Sequence, residues 1–384
     1  MLVATLVLVG AIVAACNAVS SAGPHGKTST TDGTSPSSTS PTPTTMLPAT
    51  FEVGIHTFAW VETGPHITHI GPTGLPIAGR VLTTEVRYPT LAGAVRTEAV
   101  DARPTTVGGP YPVIVFAQGW DTEPSSYQEM LDAWVSAGFV VVSPIFPDEN
   151  TAAVSAAGGP GTSAALTEEG DEYNEPGDIV YVLKQLETVT SHGWGATLKG
   201  VLNMSDVALA GQSDGANVVA ALSYASGLKN VRAELPVAPK AVAVMSGFSW
   251  TYLPPDGEAG TYAASSASPA LLQIQSDADG CVQPYGGSSN PPPTSLFAAL
   301  QTGLTSKWWV TLLDADHLGP FEGTAPWAQV VDAVTTKFFE LELNWRSSSV
   351  SSSILSAGTV SGAAKATTTV TSATVPVVTL IPGC

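Results

Sequence analysis

Basic residues are scarce in this chain. Fourteen Lys and Arg stand against 32 Asp and Glu in 384 residues, a formal net charge of −18. A surface so poor in cations cannot neutralise phosphates, which argues against nucleic acid or an anionic lipid surface as a partner. Charge of either sign is sparse, at 12% of residues, so the surface must lean on Ser, Thr, Gly and Pro. Cysteine is limited to Cys16, Cys281 and Cys384. His66 and His69 share an i, i+3 spacing, but they sit in a Gly/Pro loop with no Cys or carboxylate cluster nearby, and the spacing reads as a surface loop rather than a metal site. No internal repeat is present. Apolar residues, by contrast, make up 44% of the chain, enough to build one large α/β domain or two small ones.

Residues 1–15 are almost wholly apolar and small, too short for a confident membrane span and suited to a signal-peptide core. The run ends Val13-Ala14-Ala15-Cys16, which resembles the lipobox of bacterial lipoproteins, although no Lys or Arg precedes the apolar core. The resemblance implies cleavage before Cys16 and a lipid on its sulfur, hence an extracytoplasmic protein tethered to the cell membrane; an ordinary secretory signal is the alternative. Residues 16–48 are dominated by Ser, Thr, Pro and Gly and read as a flexible linker, since they cannot bury enough surface to offset chain entropy. The main domain is expected over 49–346. A Ser/Thr/Ala-rich, loosely ordered tail is expected over 347–384, with Val377-Val378-Thr379-Leu380-Ile381 able to add an edge strand.

Within the main domain, Gly54–Trp60 and Arg80–Tyr88 alternate like antiparallel strands. Pro112–Ala117 and Phe139–Pro144 are apolar runs suited to buried strands, with helical spacing over Tyr127–Ala137 between them, a βαβ unit. Residues 150–175 are small, acidic and loop-like, and could cover a cleft. A helix is expected from Asp178 to Thr190. Further strands are expected at Lys240–Ser246, Pro269–Gln275 and Lys307–Leu313, with a closing helix at Trp327–Leu341. Strands alternating with helices give a mostly parallel sheet covered on both faces, an α/β fold.

The segment Val207–Leu222 organises the rest. It reads as a short strand, the five-residue turn Gly211-Gln212-Ser213-Asp214-Gly215, and a helix. A serine on such a strand-to-helix turn is a nucleophile elbow. A hydroxyl needs a base, and of the six histidines only His317 follows Ser213, just past the last strand. The acid that orients the imidazole should leave the strand ending at Gln275, where Asp277 and Asp279 stand. Val282 and Pro284 follow Asp279 at offsets common after such an acid in α/β-hydrolases, which favours Asp279. Asp314 and Asp316 are backups only. The two oxyanion donors are expected to be the amides of Asp214 and Trp120, with the Trp120 ring flooring the substrate pocket. The carboxylate of Asp214 beside the nucleophile would disfavour anionic substrates.

The runs 112–120, 125–127 and 138–142, together with Arg80–Pro89, Pro176–Ile179 and the elbow, resemble the dienelactone-hydrolase-like branch of the α/β-hydrolases. That branch takes in platelet-activating-factor acetylhydrolase-like esterases and bacterial cutinase or polyester hydrolases. The resemblance covers roughly residues 51–341. It implies the α/β-hydrolase fold and a serine carboxylic-ester hydrolase acting on small-molecule or polymeric esters without cofactor or metal. Ser213, Asp279 and His317 would be its triad. Two departures stand out: Gln118 where many relatives have His, and Gln212 and Asp214 flanking the nucleophile. Trp250 lies where polyester hydrolases place a cleft aromatic, with core packing as the equal alternative. If Cys16 carries lipid, Cys281 and Cys384 remain as an even pair, and cutinase-like hydrolases often end in such a bridge. A serine peptidase on the same fold and a non-catalytic binding module are the competing readings. The lipobox reading is checked by intact mass: the mature protein is expected to begin at Cys16 with a diacylglyceryl addition, and another N-terminus without lipid would refute it.

Overall fold

The computed structural model describes residues 50–63, 79–91, 98–247, 261–284, 296–300, 303, 304, 306–346, 351–368 and 378–380. The expectations at residues 1–48, His66, His69, Trp250 and Cys384 lie outside them. All described residues belong to one compact unit, Leu47–Cys384.

The two alternating segments form β1 (Glu52–Glu62) and β2 (Arg80–Thr90), paired antiparallel along their whole length. A two-residue β3 (Ala99–Val100) flanks β1. The pattern then changes to short apolar runs buried on both sides. These are β4 (Tyr111–Ala117), β5 (Val140–Ile145), β6 (Leu202–Gln212), β7 (Ala241–Met245), β8 (Ala270–Ser276) and β10 (Lys307–Leu312), with the three-residue β9 (Val282–Pro284) between the last two. Helix α1 (Gln128–Ser136) joins β4 to β5. Helices α2 (Thr151–Ala156), α3 (Ser163–Glu168) and α4 (Glu175–Val189) follow β5. Helices α5 (Asp214–Tyr224) and α6 (Lys229–Arg232) follow β6, and the short α7 (Leu296–Ala299) precedes β10. Helix α8 (Trp327–Glu342) comes next, then α9 (Ser351–Ala357), β11 (Ala364–Thr367) and β12 (Val378–Leu380).

Ten strands form one sheet in the order β11-β10-β8-β7-β6-β4-β5-β2-β1-β3. The neighbours from β5 through β10 run parallel. Strand β2 pairs antiparallel with both β1 and β5, and β11 antiparallel with β10. Helices cover both faces because the central strands are mostly apolar and buried, and period two sends neighbouring side chains to opposite sides. On β4, Val113 and Val115 pack with Ile179 and Leu183 of α4 and Val218 of α5. Ile114 and Phe116 pack on the other face with Leu131 and Trp134 of α1 and Val331 and Phe338 of α8. With a serine on the turn between β6 and α5, this strand order is the α/β-hydrolase fold.

Two expectations change. Residues 150–175 are largely helical rather than loop. Asn150 caps α2 by accepting from the amides of Ala152 and Ala153, and Thr162 caps α3. Short capped helices with a single buried side chain, such as Val154, carry too little apolar periodicity to stand out in sequence. Nor is the tail loose over 351–367: β11 adds an antiparallel edge to the main sheet, with Ile354 of α9 buried beneath it. The edge strand expected near the end exists as β12, but it pairs with β9 in a separate two-stranded sheet.

The elbow depends on close backbone approach. A Cβ on Gly215 would lie 2.2 Å from the Ala117 carbonyl oxygen, and one on Gly211 2.1 Å from that of Gly215. Gly215→Ala is therefore expected to lower stability by about 1–3 kcal/mol or to prevent folding. Gly161→Ala, with nothing within 4 Å of the new methyl, is expected to behave as wild type in the same denaturant titration.

Candidate active site

Ser213 sits at the junction of β6 and α5 with φ 56° and ψ −122°, a conformation rare for a residue with a side chain. It is fixed from three directions. Its N–H donates to the Met245 carbonyl at 3.0 Å, and its own carbonyl accepts from the amides of Ala216 and Asn217. A Cβ on Gly247 would lie 2.1 Å from the Ser213 oxygen, so β7 runs directly against the turn.

His317 and Asp279 arrive from the ends of β10 and β8, which are parallel neighbours. His317 Nε2 lies 2.9 Å from Ser213 Oγ. Its Nδ1 lies 2.9 and 3.0 Å from the two Asp279 oxygens. All three side chains are buried. Asp279 is held in turn by the Cys281 N–H at 2.9 Å and by Gln275 Nε2 at 3.3 Å. With Nδ1–H donated to the carboxylate, Nε2 is the acceptor and faces the serine hydroxyl. The two aspartates on the acid loop thus divide their work. Asp277 is exposed and accepts the Asp314 N–H at 2.7 Å, tying the acid loop to the histidine loop. Asp316 accepts the Gly319 N–H at 2.7 Å and closes the turn that presents His317.

The other expected residues fall as follows. Trp120 is buried, its ring packed with Val154 of α2 and Ala165 of α3, so the 150–175 segment covers it. Asp214 opens α5, where its amide is one of the unpaired donors of a helix start. Cys281 is disulfide-bonded. Asp279, Cys281 and His317 have ligand atoms close enough together to suggest a metal set, but a disulfide sulfur is not a thiolate and the chemistry of the donors does not fit.

Two features escaped the sequence. The first is a group of buried carboxyls behind the elbow: Glu149, Glu172 and Glu175 around Asp214. Burial, reinforced by the neighbouring Glu169, pushes Asp214 up to about 8. Burial raises Glu149, Glu172 and Glu175 well above the usual carboxylate range, with their mutual repulsion adding to it. The proximity of Glu149 and Glu175 further raises the Glu175 carboxyl. Glu172 accepts from Asn217 Nδ2 at 2.6 Å. Nearby, Arg80 is buried against Asp178 at 2.9 Å and against Asp171. Burial thus disfavours the charged form of Asp214, the form expected to repel anionic substrates. The second feature is the set of polar contacts of Tyr127 and Gln212. Tyr127 was expected only as part of an apolar helix side, and Gln212 only as a departure from relatives.

No family model matches the chain, and no curated protein does. Solved structures similar to it include a ferulic acid esterase from Streptomyces cinnamoneus, 16% identical, covering 77% of this chain and 91% of that one at a TM-score of 0.47. Likeness at that depth carries no argument about chemistry.

The carboxyl group makes stability pH-dependent with a definite sign. A folded state that keeps protons which the unfolded chain releases loses stability as pH rises. For Asp214 the window runs from its ordinary value of 3.8 to about 8. The melting temperature is expected to fall between about pH 5 and pH 8. Glu149→Gln, which removes one titrating partner, is expected to flatten that slope in the same thermal scans.

Proposed function

We propose that the chain is a serine carboxylic-ester hydrolase working through an acyl-enzyme. One observation carries the reading: His317 Nε2 lies 2.9 Å from Ser213 Oγ while Asp279 holds Nδ1. Ser213 Oγ attacks the ester carbonyl as its proton passes to Nε2. Asp279 stabilises the imidazolium and keeps its orientation. The tetrahedral oxyanion is held by the amides of Trp120 and Asp214, and donors of this kind are worth roughly 10²–10³ each in turnover. Collapse expels the alkoxide, which leaves with the proton from Nε2. Water then repeats the sequence on the acyl-enzyme: its proton goes to Nε2, its oxygen to the carbonyl, and Ser213 recovers its hydrogen as the acid departs.

A Ser–His–acid relay with all its hydrogen bonds in place does not fit a non-catalytic binding module. The helices of 150–168 over Trp120 form one wall of the substrate region, and a substrate role for Trp250 rests on the sequence resemblance alone. The branch, the dienelactone-hydrolase-like esterases, rests on the sequence resemblance given above, as do the lipid anchor at Cys16, the extracytoplasmic location and the bridge from Cys281 to Cys384.

Purified protein is expected to hydrolyse p-nitrophenyl acetate and butyrate. Ser213→Ala is expected to lower kcat at least 10³-fold with the fold intact. A peptide panel is expected to show no turnover. Unchanged ester turnover in Ser213→Ala would remove the assignment.

A further inference from the structure

We propose that Tyr127 and Gln212 form a positioning pair that sets the oxyanion loop and His317 in register with Ser213, neither residue touching substrate. The proposal rests on the reading of Ser213 and His317 as nucleophile and base.

The donor count fixes the arrangement. Tyr127 is fully buried, and its hydroxyl has one proton, donated to Gln212 Oε1 at 2.7 Å. Its lone pairs accept the Gly119 N–H at 3.2 Å. Thr122 Oγ1 sits 3.1 Å from the same hydroxyl and gives its own proton to the Gly119 carbonyl at 2.5 Å. Gln118 Nε2 donates to the Thr122 carbonyl at 2.8 Å. Residues 118–122, which carry the Trp120 amide, are thus tied at both ends of Gly119 to Tyr127 and Thr122.

Gln212 extends the chain to the base. With its oxygen committed to Tyr127, the amide must turn its NH₂ toward His317. There it donates to the His317 carbonyl at 3.2 Å and lies 3.4 Å from Nε2. Gly119 has no room for a side chain, because a Cβ would lie 2.8 Å from both Gln212 Oε1 and Ser213 Cβ. The oxyanion loop therefore rests on Gln212 and Ser213 directly. Burial raises the Tyr127 phenol above its ordinary value, so it remains a donor across the working pH range. This polar tip is separable from the packing role of the ring, which meets Phe116 edge-on at 4.8 Å.

The test uses the full chain with Tyr127→Phe, Gln212→Leu, the double variant, Gln212→Glu and Ser213→Ala. Turnover of p-nitrophenyl butyrate and the rate of labelling by a fluorophosphonate are both measured. Tyr127→Phe keeps the ring and is expected to lower kcat ten- to hundredfold, with KM changed less than threefold. Its labelling rate is expected to fall in parallel, with the circular dichroism spectrum retained. The double variant is expected to lose little more than the worse single one, as for residues acting in one chain. Gln212→Glu puts a carboxylate where the NH₂ faced the ring and is expected to move the acidic limb of the kcat/KM profile to higher pH. Wild-type kcat and labelling in Tyr127→Phe, or fully additive losses with an unmoved acidic limb, would overturn the proposal while leaving the hydrolase reading intact. Wild-type protein that labels at Ser213 but cleaves no ester would overturn the substrate reading alone, and the labelling rates would still decide the positioning pair.

Discussion

The close approach of the β6–α5 turn to the end of β4 is the constraint on which the rest depends. Gly215 meets the carbonyls of Ala117 and Gln118 with no room for a methyl. That contact lets α5 start immediately after the sheet edge and holds Ser213 at φ 56°. A strained serine backbone persists only where its surroundings over-determine it. Here the amide bonds from Ala216 and Asn217, the Met245 carbonyl and the Gly247 backbone all do so. The ends of the parallel strands then become the place where β8 and β10 bring Asp279 and His317 to the Ser213 hydroxyl.

Behind this edge the protein has concentrated acidic groups rather than dispersed them. Glu149, Glu172, Glu175 and Asp214 are all nearly inaccessible. Ionised together they would repel strongly at low dielectric, and burial with that repulsion raises each carboxyl above its ordinary range. Their place by the start of α5, where helix dipoles favour negative charge, eases that cost in part. Arg80 serves a neighbouring set, Asp171 and Asp178, and links β2 to α4. The carboxyl group also packs the 150–175 segment onto α5 through the Glu172–Asn217 hydrogen bond.

Much of this was legible in the chain, and the legible parts share a property. Apolar runs such as 112–117 and 241–245 meet the same requirement wherever they are placed: two buried faces and no polar side chain. The turn 211–215 carried its own glycines, and the order of Ser213, an acid on the 277–279 loop and His317 followed from where each strand ends. Residues 150–175 and 351–367 were misjudged. Their helices and strand are short, and what orders them is contact with a sheet assembled from distant segments.

Sequence by itself determined the layered α/β architecture and the strand–turn–helix setting of Ser213, because periodicity and glycine spacing are local properties of the chain. It narrowed the acid to two aspartates, two and four residues past Gln275, and favoured Asp279 only by analogy. Tertiary structure decided the matter: Asp279 turns inward to His317, while Asp277 turns outward to the Asp314 amide. Tertiary structure alone joined Tyr127 to Gln212 across 85 positions and gathered the buried glutamates around Asp214. The reason is physical. A hydrogen bond or a carboxyl's protonation state depends on which groups surround it in space, and no local pattern records neighbours that only folding brings together.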